Sequence, residues 1–485
     1  MRTIIIDCLF ISNDLDNIYS NKNSLEIIYD YSKKNGFDRY ILLQNGLVTK
    51  CPEGIKNIIL EIFTPYSIIT TILEESKNSN TIVVFNGGNP FYDYDFIEKM
   101  IAHHEKYLAD YTFQTGYPDG LLPTIVRKEA LNEMSKLVEK DTNITTDYLY
   151  SAISKDINSY DIETFMCEYD LRISRVRFGA NDKGERTFTE AIYNNFKDGF
   201  SYKDIAKYIY ENPDKLYSIP YMLGVELNRY SDIRSIYNIN GLDDNSLELD
   251  FESFKKVIIK MKKINPVYNL LLTGVAEPLK YSKITELIEL TSENGINIVI
   301  ETYGVDIDNN FLEKLKSIKK EKITFVIKLD AYSKEIYDKI NLGGNFDKAI
   351  NSYKILKENG FKVYRSIVRM NENEEDIEKY VRNKDVENLI IKKYSTYCDK
   401  LIDRKVVDLS PLDRIPCFHL RREIFINNDG TYSFCQYAFD DIIGNIKDDE
   451  IEMIIEKLKD KYKENALKHY TPFCEKCDDY YIFNF

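Results

Sequence analysis

The feature that most constrains the fold is an alternation of apolar strands and amphipathic helices between residues 219 and 396. Six apolar segments have the length and branched side chains of buried strands, and helical patterns separate them. The predicted strands are 223–227, 268–273, 296–302, 323–330, 361–369 and 388–393. Gly295 and Gly360 each end a predicted helix, at positions where glycine accepts left-handed geometry. Because strands joined by right-handed helical crossovers run parallel, we expect a partial (βα)6 barrel.

Two further blocks flank this run, and together the three predict an α/β protein with three domains, at 1–218, 219–396 and 397–485. Residues 1–218 alternate short strands with helices, which is typical of a layered α/β domain. Its predicted helices include 24–34 and 91–108, the second with Pro90 at its start. Residues 397–485 are rich in turns and contain a hairpin signal at Asn428-Asp429-Gly430.

Composition excludes some function classes. The formal net charge is −14 over 485 residues, and an acidic surface disfavours binding to nucleic acid. No stretch approaches the roughly 18 apolar residues of a membrane helix, and the apolar run after Met1 is broken at Asp7, as in a buried strand. We therefore expect a cytoplasmic protein whose eight cysteines are free thiols or metal ligands rather than disulfides.

Four of the cysteines suggest a metal site in the last block. Cys474 and Cys477 form a Cys-x-x-Cys turn, and the hairpin at Gly430 returns Cys435 towards Cys417. Four thiolates suit zinc or an iron–sulfur cluster equally well. A thioredoxin-like redox pair is less favoured because no strand leads into the turn. The remaining cysteines are interpreted as structural: Cys8, Cys51, Cys167 and Cys398.

Two histidines lie near these cysteines in sequence. His419 follows Cys417 by two residues, and His469 precedes Cys474 by five. Either one is a candidate spare ligand or hydrogen-bond donor to the metal site, but a packed or solvated histidine is the preferred interpretation of both.

The last block resembles SPASM domains, the auxiliary-cluster extensions of radical-SAM enzymes. The resemblance rests on Cys417, on Gly430 with Cys435 after it, on residues 444–446, and on the final Cys-x-x-Cys. Full SPASM domains carry more cysteines and two clusters. With four cysteines here, the resemblance implies one [4Fe-4S] cluster, and zinc is the alternative.

The middle block resembles the radical-SAM partial barrel. Residues 274–279, Gly-Val-Ala-Glu-Pro-Leu, are similar to the family's glycine-rich turn, which meets the amino end of S-adenosylmethionine. The resemblance therefore implies a cofactor-binding turn at Gly274, Glu277 and Pro278. Residues 301–304 and 329–330 resemble later strand ends of the same barrel.

The cluster motif of that family is missing. The family has Cys-x-x-x-Cys-x-x-Cys after the first strand, whereas this chain has Ser231, Ser235 and Asn238 in the same frame. A serine hydroxyl is too weakly acidic to replace a thiolate, and asparagine offers no anionic ligand. We therefore expect reductive cleavage of S-adenosylmethionine to be lost, and Glu277 alone does not secure binding of the intact cofactor.

The first block resembles nucleotidyltransferases of the cytidylyltransferase kind, which are related to glycosyltransferase A folds. The similar stretches are 87–91, 109–111, 117–121 and 175–188. The glycine-rich nucleotide loop is replaced by residues 12–15, and Gly88 stands where the family has a metal-binding aspartate. Glu185 alone would be a poor Mg²⁺ site and is interpreted as a surface charge. The three blocks together resemble the spiro-SPASM family.

Three functions remain open. The first is an iron–sulfur protein with a binding or electron-transfer role, or a partner of an active relative. The second is an enzyme of glycan or nucleotide-sugar metabolism acting through the first block, and the third is a structural zinc module. Whether the chain is an enzyme stays open; its substrate is unknown, a peptide and a sugar nucleotide being the candidates. No nucleic-acid or membrane partner is expected.

Overall fold

The computed structural model describes the chain in two compact units, Met1–Ser218 and Ile219–Phe485. It describes every residue except 13, 16–18, 20, 34–35, 142–143, 145–146, 197–198, 240–246, 317, 408–413 and 481–485, and the side chain of 173. Among the described residues, no helix combines the length and the apolar character needed to cross a bilayer.

The first unit is built on a seven-stranded sheet. In chain order its strands are β1 (Arg2–Cys8), β2 (Arg39–Gln44), β3 (Lys56–Ile59), β4 (Thr81–Asn86), β5 (Tyr111–Thr115), β6 (Thr124–Arg127) and β7 (Ile162–Met166). They lie in the order β3-β2-β1-β4-β6-β5-β7, and β6 runs antiparallel to both of its neighbours. The predicted layered α/β architecture is confirmed.

Among the described residues of the first unit, five helices lie between these strands in the chain, and two more follow β7. They are α1 (Ser24–Ser32), α2 (Pro65–Glu75), α3 (Tyr94–Lys106), α4 (Lys128–Leu137), α5 (Tyr148–Ile153), α6 (Lys183–Phe196) and α7 (Tyr202–Glu211). The predicted start of α3 after Pro90 is wrong. Asp93 caps the helix instead, since its side chain accepts a hydrogen bond from the backbone N–H of Phe96 at 3.1 Å.

The second unit contains the predicted parallel sheet. Its parallel strands are β8 (Met222–Val225), β10 (Asn269–Leu272), β11 (Asn297–Thr302), β12 (Ile323–Lys328), β14 (Lys362–Arg369) and β15 (Leu389–Lys393), and β9 (Arg234–Ser235) pairs separately with β13 (Asn341–Leu342). The hairpin strands β16 (Glu423–Ile426) and β17 (Thr431–Ser433) are followed by β18 (Ile442–Asn445). Because β16 pairs parallel with β8, one sheet runs β15-β14-β12-β11-β10-β8-β16-β17-β18.

Helices of the second unit follow the predicted alternation. They are α8 (Phe251–Ile264), α9 (Ile284–Glu293), α10 (Asn309–Lys314), α11 (Lys334–Ile340), α12 (Phe346–Glu358), α13 (Glu374–Arg382), α14 (Phe418–Arg422), α15 (Ile451–Ala466) and α16 (Pro472–Glu475). Gly295 and Gly360 have φ of +61° and +79°, as their places after α9 and α12 predict. Helix α11 is an addition that the sequence pattern did not indicate.

Candidate functional site

The segment after β8, which holds Ser231, Ser235 and Asn238, is closed by hydrogen bonds. The Tyr303 hydroxyl lies 2.9 Å from Ser235 Oγ and 3.1 Å from Asn238 Nδ2, and Tyr303 is fully buried. Ser235 also donates to Asn341 Oδ1, and Ser231 Oγ accepts from the backbone N–H of Ile233 at 3.1 Å. A phenol therefore bridges two of the three positions at which the resemblance would place thiolates.

A second layer ties this segment to the end of β12. The Asp330 carboxylate accepts from the Tyr237 hydroxyl at 2.8 Å, from Asn341 Nδ2 at 3.1 Å and from the Val368 N–H at 3.0 Å. Burial raises the pKa of Asp330, and these hydrogen bonds oppose the increase. The segment is thus anchored by a buried polar network.

The turn at Gly274, Glu277 and Pro278 lies after β10, at the carboxyl end of the sheet, as predicted. The Glu277 carboxylate accepts from the N–H groups of Leu279 at 3.1 Å and Tyr303 at 2.9 Å, and burial raises its pKa. Gly274 has φ +118°, and a Cβ there would lie 2.8 Å from Glu226 Oε1. Glu277 therefore caps neighbouring backbone, and the turn is fixed in shape.

A cavity of about 350 Å³ opens at the carboxyl ends of the strands and is lined by residues of β10, β11, β12, β14 and β15. The convergence shows that the sheet curves into the predicted partial barrel. In the cavity wall Glu301 is paired with Lys392 and accepts from Thr273 Oγ1 at 2.8 Å. Burial would raise the pKa of Glu301, but Lys392 and Lys328 outweigh it and lower the pKa to about 2.

The four predicted thiols all lie in the second unit. Cys417 precedes α14, and its N–H donates to Asn465 Oδ1 at 2.9 Å. Cys435 follows β17, and Gly430 in the hairpin has the expected positive φ of +84°. Cys474 lies in α16, and the Cys477 sulfur accepts from the Asp479 N–H at 3.3 Å.

The thiols influence one another electrostatically, so the fold brings them into one neighbourhood. Burial raises the pKa of Cys417, and the charges of Cys477 and Cys474 raise it further. Burial likewise raises the pKa of Cys435, with further increases from Cys417 and Cys477. Within the described ranges, however, no three His, Cys, Asp or Glu side chains converge on one metal-ion position.

Cys398 also belongs to this neighbourhood, so its interpretation as an isolated structural residue is wrong. The influence of the Cys398 thiol is the main reason that the pKa of Cys477 is lowered, and Cys477 in turn raises the pKa of Cys398. One weak signal in the sequence could have indicated this role. Cys398 follows the last barrel strand closely, and carboxyl ends of strands are where barrel proteins place their sites.

His419 is buried at the edge of the cavity, whereas His469 is exposed and pairs with Glu464. His419 Nδ1 lies 2.6 Å from Glu423 Oε2, and Nε2 has no partner among the described residues. Burial lowers the pKa of His419, but Glu423, with Asp479 and Cys477, outweighs it and raises the pKa to about 9. The sequence favoured a histidine that is simply packed or solvated. That interpretation does not explain why the buried Nε2 of His419 has no hydrogen-bond partner among the described residues.

The interpretation of Glu185 as a surface charge is wrong. Its side chain is only 10% exposed, and it lies 3.5 Å from Arg177 Nε and accepts from the Asn181 N–H at 3.2 Å. A Cβ on Gly88 would lie 2.4 Å from the backbone nitrogen of Ala180, so the chain is closely packed at that position. In the nucleotide-loop region, residue 13 lies outside the described residues.

Family models match two segments of the second unit. Residues 230–383 match the model of the Radical SAM superfamily, and residues 417–478 match that of SPASM, an iron-sulfur cluster-binding domain. Cys398 lies outside both matches.

Known proteins similar to this chain include an uncharacterized protein of Treponema pallidum (strain Nichols). It is 26% identical over 369 residues, which cover 70% of this chain and 99% of that protein. Streptococcus suis SuiB bound to precursor peptide SuiA is 16% identical, with a TM-score of 0.45, covering 57% of this chain and 74% of that chain. A cytidylyltransferase from Leptospira borgpetersenii is 14% identical, with a TM-score of 0.35, covering 44% of this chain and 96% of that chain.

Proposed function

Because this chain carries a radical-SAM domain followed by an iron–sulfur-binding SPASM domain, we propose that it holds one [4Fe-4S] cluster and does not cleave S-adenosylmethionine. Its role is then electron transfer through that cluster, or binding of a substrate beside it. Cys417, Cys435, Cys474 and Cys477 are the ligands in this proposal.

The observation that carries the proposal is the closed network of Ser235, Asn238 and Tyr303. Radical-SAM chemistry needs three thiolates after β8, and their places hold a hydroxyl and an amide bonded to a buried phenol, together with the hydroxyl of Ser231. The sequence contains no cysteine between Cys167 and Cys398 that would compensate. The residues present therefore do not fit a cofactor-cleaving cluster.

The family match supports a cluster over zinc. Residues 417–478, which hold all four proposed ligands, match the model of an iron-sulfur cluster-binding domain. A cluster held by these thiolates would supply one-electron chemistry.

The cavity indicates the size of a bound partner. A volume of about 350 Å³ lies at the lower end of the range for small-molecule sites, which is roughly 300–1,000 Å³. Arg229 and Glu226 form an ion pair of 3.0 Å in its wall, and Tyr237, Tyr397 and Tyr437 add aromatic surface with polar tips. One sugar ring or one peptide side chain fits this chemistry.

Anaerobic purification followed by iron, sulfide and zinc analysis tests the cluster. We expect about four iron and four sulfide per chain, and loss of both in Cys435→Ala and Cys474→Ala. Cys51→Ala, in the first unit, is the matched control and should retain them. One equivalent of zinc without sulfide would overturn the proposal.

A second experiment tests whether the protein cleaves S-adenosylmethionine. The reduced protein is incubated with S-adenosylmethionine and dithionite, and the products are separated chromatographically. We expect no 5′-deoxyadenosine above the level formed without protein. Its formation in proportion to protein concentration would contradict the proposed loss of cleavage.

A further inference from the structure

Lys328, at the carboxyl end of β12, is a buried ammonium in the wall of the cavity. It is only 7% exposed, and its Nζ donates to the backbone oxygen of Gly274 at 3.2 Å. An ammonium carries three protons, and Lys328 forms no ion pair and no other hydrogen bond with the described residues. Because a buried charge without a carboxylate partner is costly, this residue calls for a partner that the chain itself does not supply.

The path of the Lys328 side chain explains how the ammonium is held. Strand β11 lies between β12 and β10 in the sheet, and Gly274 follows β10, so the side chain crosses the end of β11. There its Nζ lies 5.1 Å from the centre of the Tyr303 ring, in a cation–π contact. The ring and one carbonyl fix the ammonium in the cavity wall and leave two of its protons for a bound group.

The acidic groups that act on Lys328 do not accept these protons. Glu277, Glu301 and Asp330 interact with it electrostatically. Backbone N–H groups donate to Glu277 and to Asp330. Glu301 is paired with Lys392 instead. The three carboxylates therefore reduce the cost of burying the ammonium without taking its hydrogen bonds.

The charged side chains of the cavity wall leave an excess of positive charge. Besides His419, the described wall residues include four basic and three acidic side chains: Arg229, Lys328, Lys392 and Lys393, and Glu226, Glu301 and Asp479. Arg229 and Lys392 are each paired with an acidic residue of the wall. The protein as a whole has a formal net charge of −14, so the excess is a local feature. A cleft with low-dielectric walls concentrates the field of such an excess and favours anionic ligands.

We propose that the cavity binds a sugar that carries a phosphate or a carboxylate group, and that Lys328 recognises this anionic group. The inference names the class of substrate bound beside the cluster, so it rests on that part of the proposed function. Either anionic group supplies the oxygen atoms that the free protons of Lys328 need.

The rest of the wall favours a sugar over an acidic peptide side chain. Gln436 contributes an amide to the wall and Tyr437 a phenol, and His419 Nε2 has no partner among the described residues. A hydroxyl group both donates and accepts hydrogen bonds, so sugar hydroxyls pair with all of these groups. An acidic peptide side chain has only its carboxylate, which Lys328 already engages.

Isothermal titration calorimetry of the full-length, anaerobically purified protein tests the ligand class. The probes are glucose 6-phosphate and glucuronate, and the comparison compounds are neutral glucose and N-acetylglutamate. We expect at least one of the two sugar anions to bind, and both comparison compounds to bind more weakly. The tighter of the two sugar anions identifies the anionic group that the cavity takes.

Variants of Lys328 test the residue. Lys328→Met removes the charge, and Lys328→Gln keeps a neutral donor for the Gly274 oxygen. Each should weaken binding of the sugar anion by about 30-fold or more, because the anion loses its buried partner. Lys354→Met, at an exposed lysine of α12, should bind it like wild type. Circular dichroism checks the fold of each variant, and Lys328→Gln decides the matter if Lys328→Met does not fold.

Four results would overturn the inference: no binding of either sugar anion, equally tight binding of glucose, binding of N-acetylglutamate alone, or unchanged affinity in the folded Lys328 variants. Iron and sulfide analysis of the same preparations reports separately on the cluster. Protein with its full iron that binds no sugar anion would lose this inference and keep the proposed cluster. Protein without iron and sulfide would lose the proposed function, whatever its affinity for sugars.

Discussion

Asp7, on β1, carries a partly buried carboxylate whose pKa is raised to about 6 by burial. Its Oδ1 accepts from the Leu9 N–H at 2.9 Å. Since the folded form binds its proton at a higher pH than the unfolded form, stability falls as the pH rises from about 4 to about 6 and stays lower above that range.

We expect Asp7→Asn to be more stable than wild type at pH 8 by up to about 3 kcal/mol, because the amide keeps the acceptor and has no charge to desolvate. Below pH 4 the gain should vanish. Urea unfolding at pH 8 and below pH 4 measures this difference in the free energy of unfolding. Glu53→Gln, at an exposed carboxylate, is the control. An equal gain at both pH values would contradict the assignment.

Tyr303→Phe tests the closed network in the barrel. The change leaves Ser235 and Asn238 without their shared partner in a buried place, and we expect a loss of roughly 1–3 kcal/mol. Tyr150→Phe, at an exposed tyrosine, should change stability little. Thermal unfolding of the two variants makes the comparison, and equal midpoints would contradict a stabilising role for the network.

Residues recognised by local spacing could be predicted, and residues defined by distant neighbours could not. Ser231, Ser235 and Asn238 lie within eight residues shortly after a strand, so their position after β8 could be predicted from the sequence. The surroundings of Cys398 and Glu185 could not be predicted, because Cys477 lies near Cys398, and Arg177 near Glu185, only in the folded chain.

At the scale of the elements, the hairpin of β16 and β17 allows a specific prediction about Gly430. Gly430 has φ +84°, and a Cβ there would lie 3.1 Å from Ile446 Cγ1. We expect Gly430→Ala to destabilise the hairpin by about 1–2 kcal/mol and to lower iron retention, because the hairpin positions Cys435.

Gly295→Ala is the matched control for that change. Gly295 has φ +61°, and a Cβ there would have nothing within 4 Å, so the variant carries the same kind of backbone strain after α9 rather than in the hairpin. It should lose comparable stability and keep its iron. Iron loss in both variants, measured after the same anaerobic reconstitution, would assign the effect to general instability.

Helices with a clear apolar period could be predicted from the sequence, whereas an exposed edge strand and the first residue of a helix could not. Helices α9 and α12 end just before Gly295 and Gly360, as predicted, since clear periodicity precedes a terminating glycine in both. Strand β3 lies at a sheet edge and is largely exposed, so it has no apolar alternation to reveal it. Helix α3 begins later than predicted because a capping aspartate outweighs the proline signal.

At the scale of the whole molecule, the four thiols proposed as cluster ligands all belong to the second unit. We expect anaerobic removal of iron by a chelator to speed amide hydrogen exchange in residues 394–400, 417–437 and 472–479. A rise of about tenfold corresponds to about 1.4 kcal/mol of local opening free energy. The strands β1 and β4 of the first unit serve as the internal control and should not change.

The parallel order of the barrel strands could be predicted from the strand–helix alternation alone, because right-handed crossovers place successive strands side by side. The pairing of β16 with β8 could not. It joins segments from opposite ends of the second unit, and no local pattern selects the edge of the sheet to which a hairpin adds.

That pairing has a consequence for how the chain can be cut or recombined. Strand β8 lies between β10 and β16, so removing the residues after the barrel would expose its backbone donors and acceptors along a new edge. The shortened chain should self-associate instead of yielding a clean barrel. The cysteine-bearing segment is therefore not an independent module. Exchanging it for a homologous segment would transfer the proposed ligands without strand β8, against which their hairpin pairs.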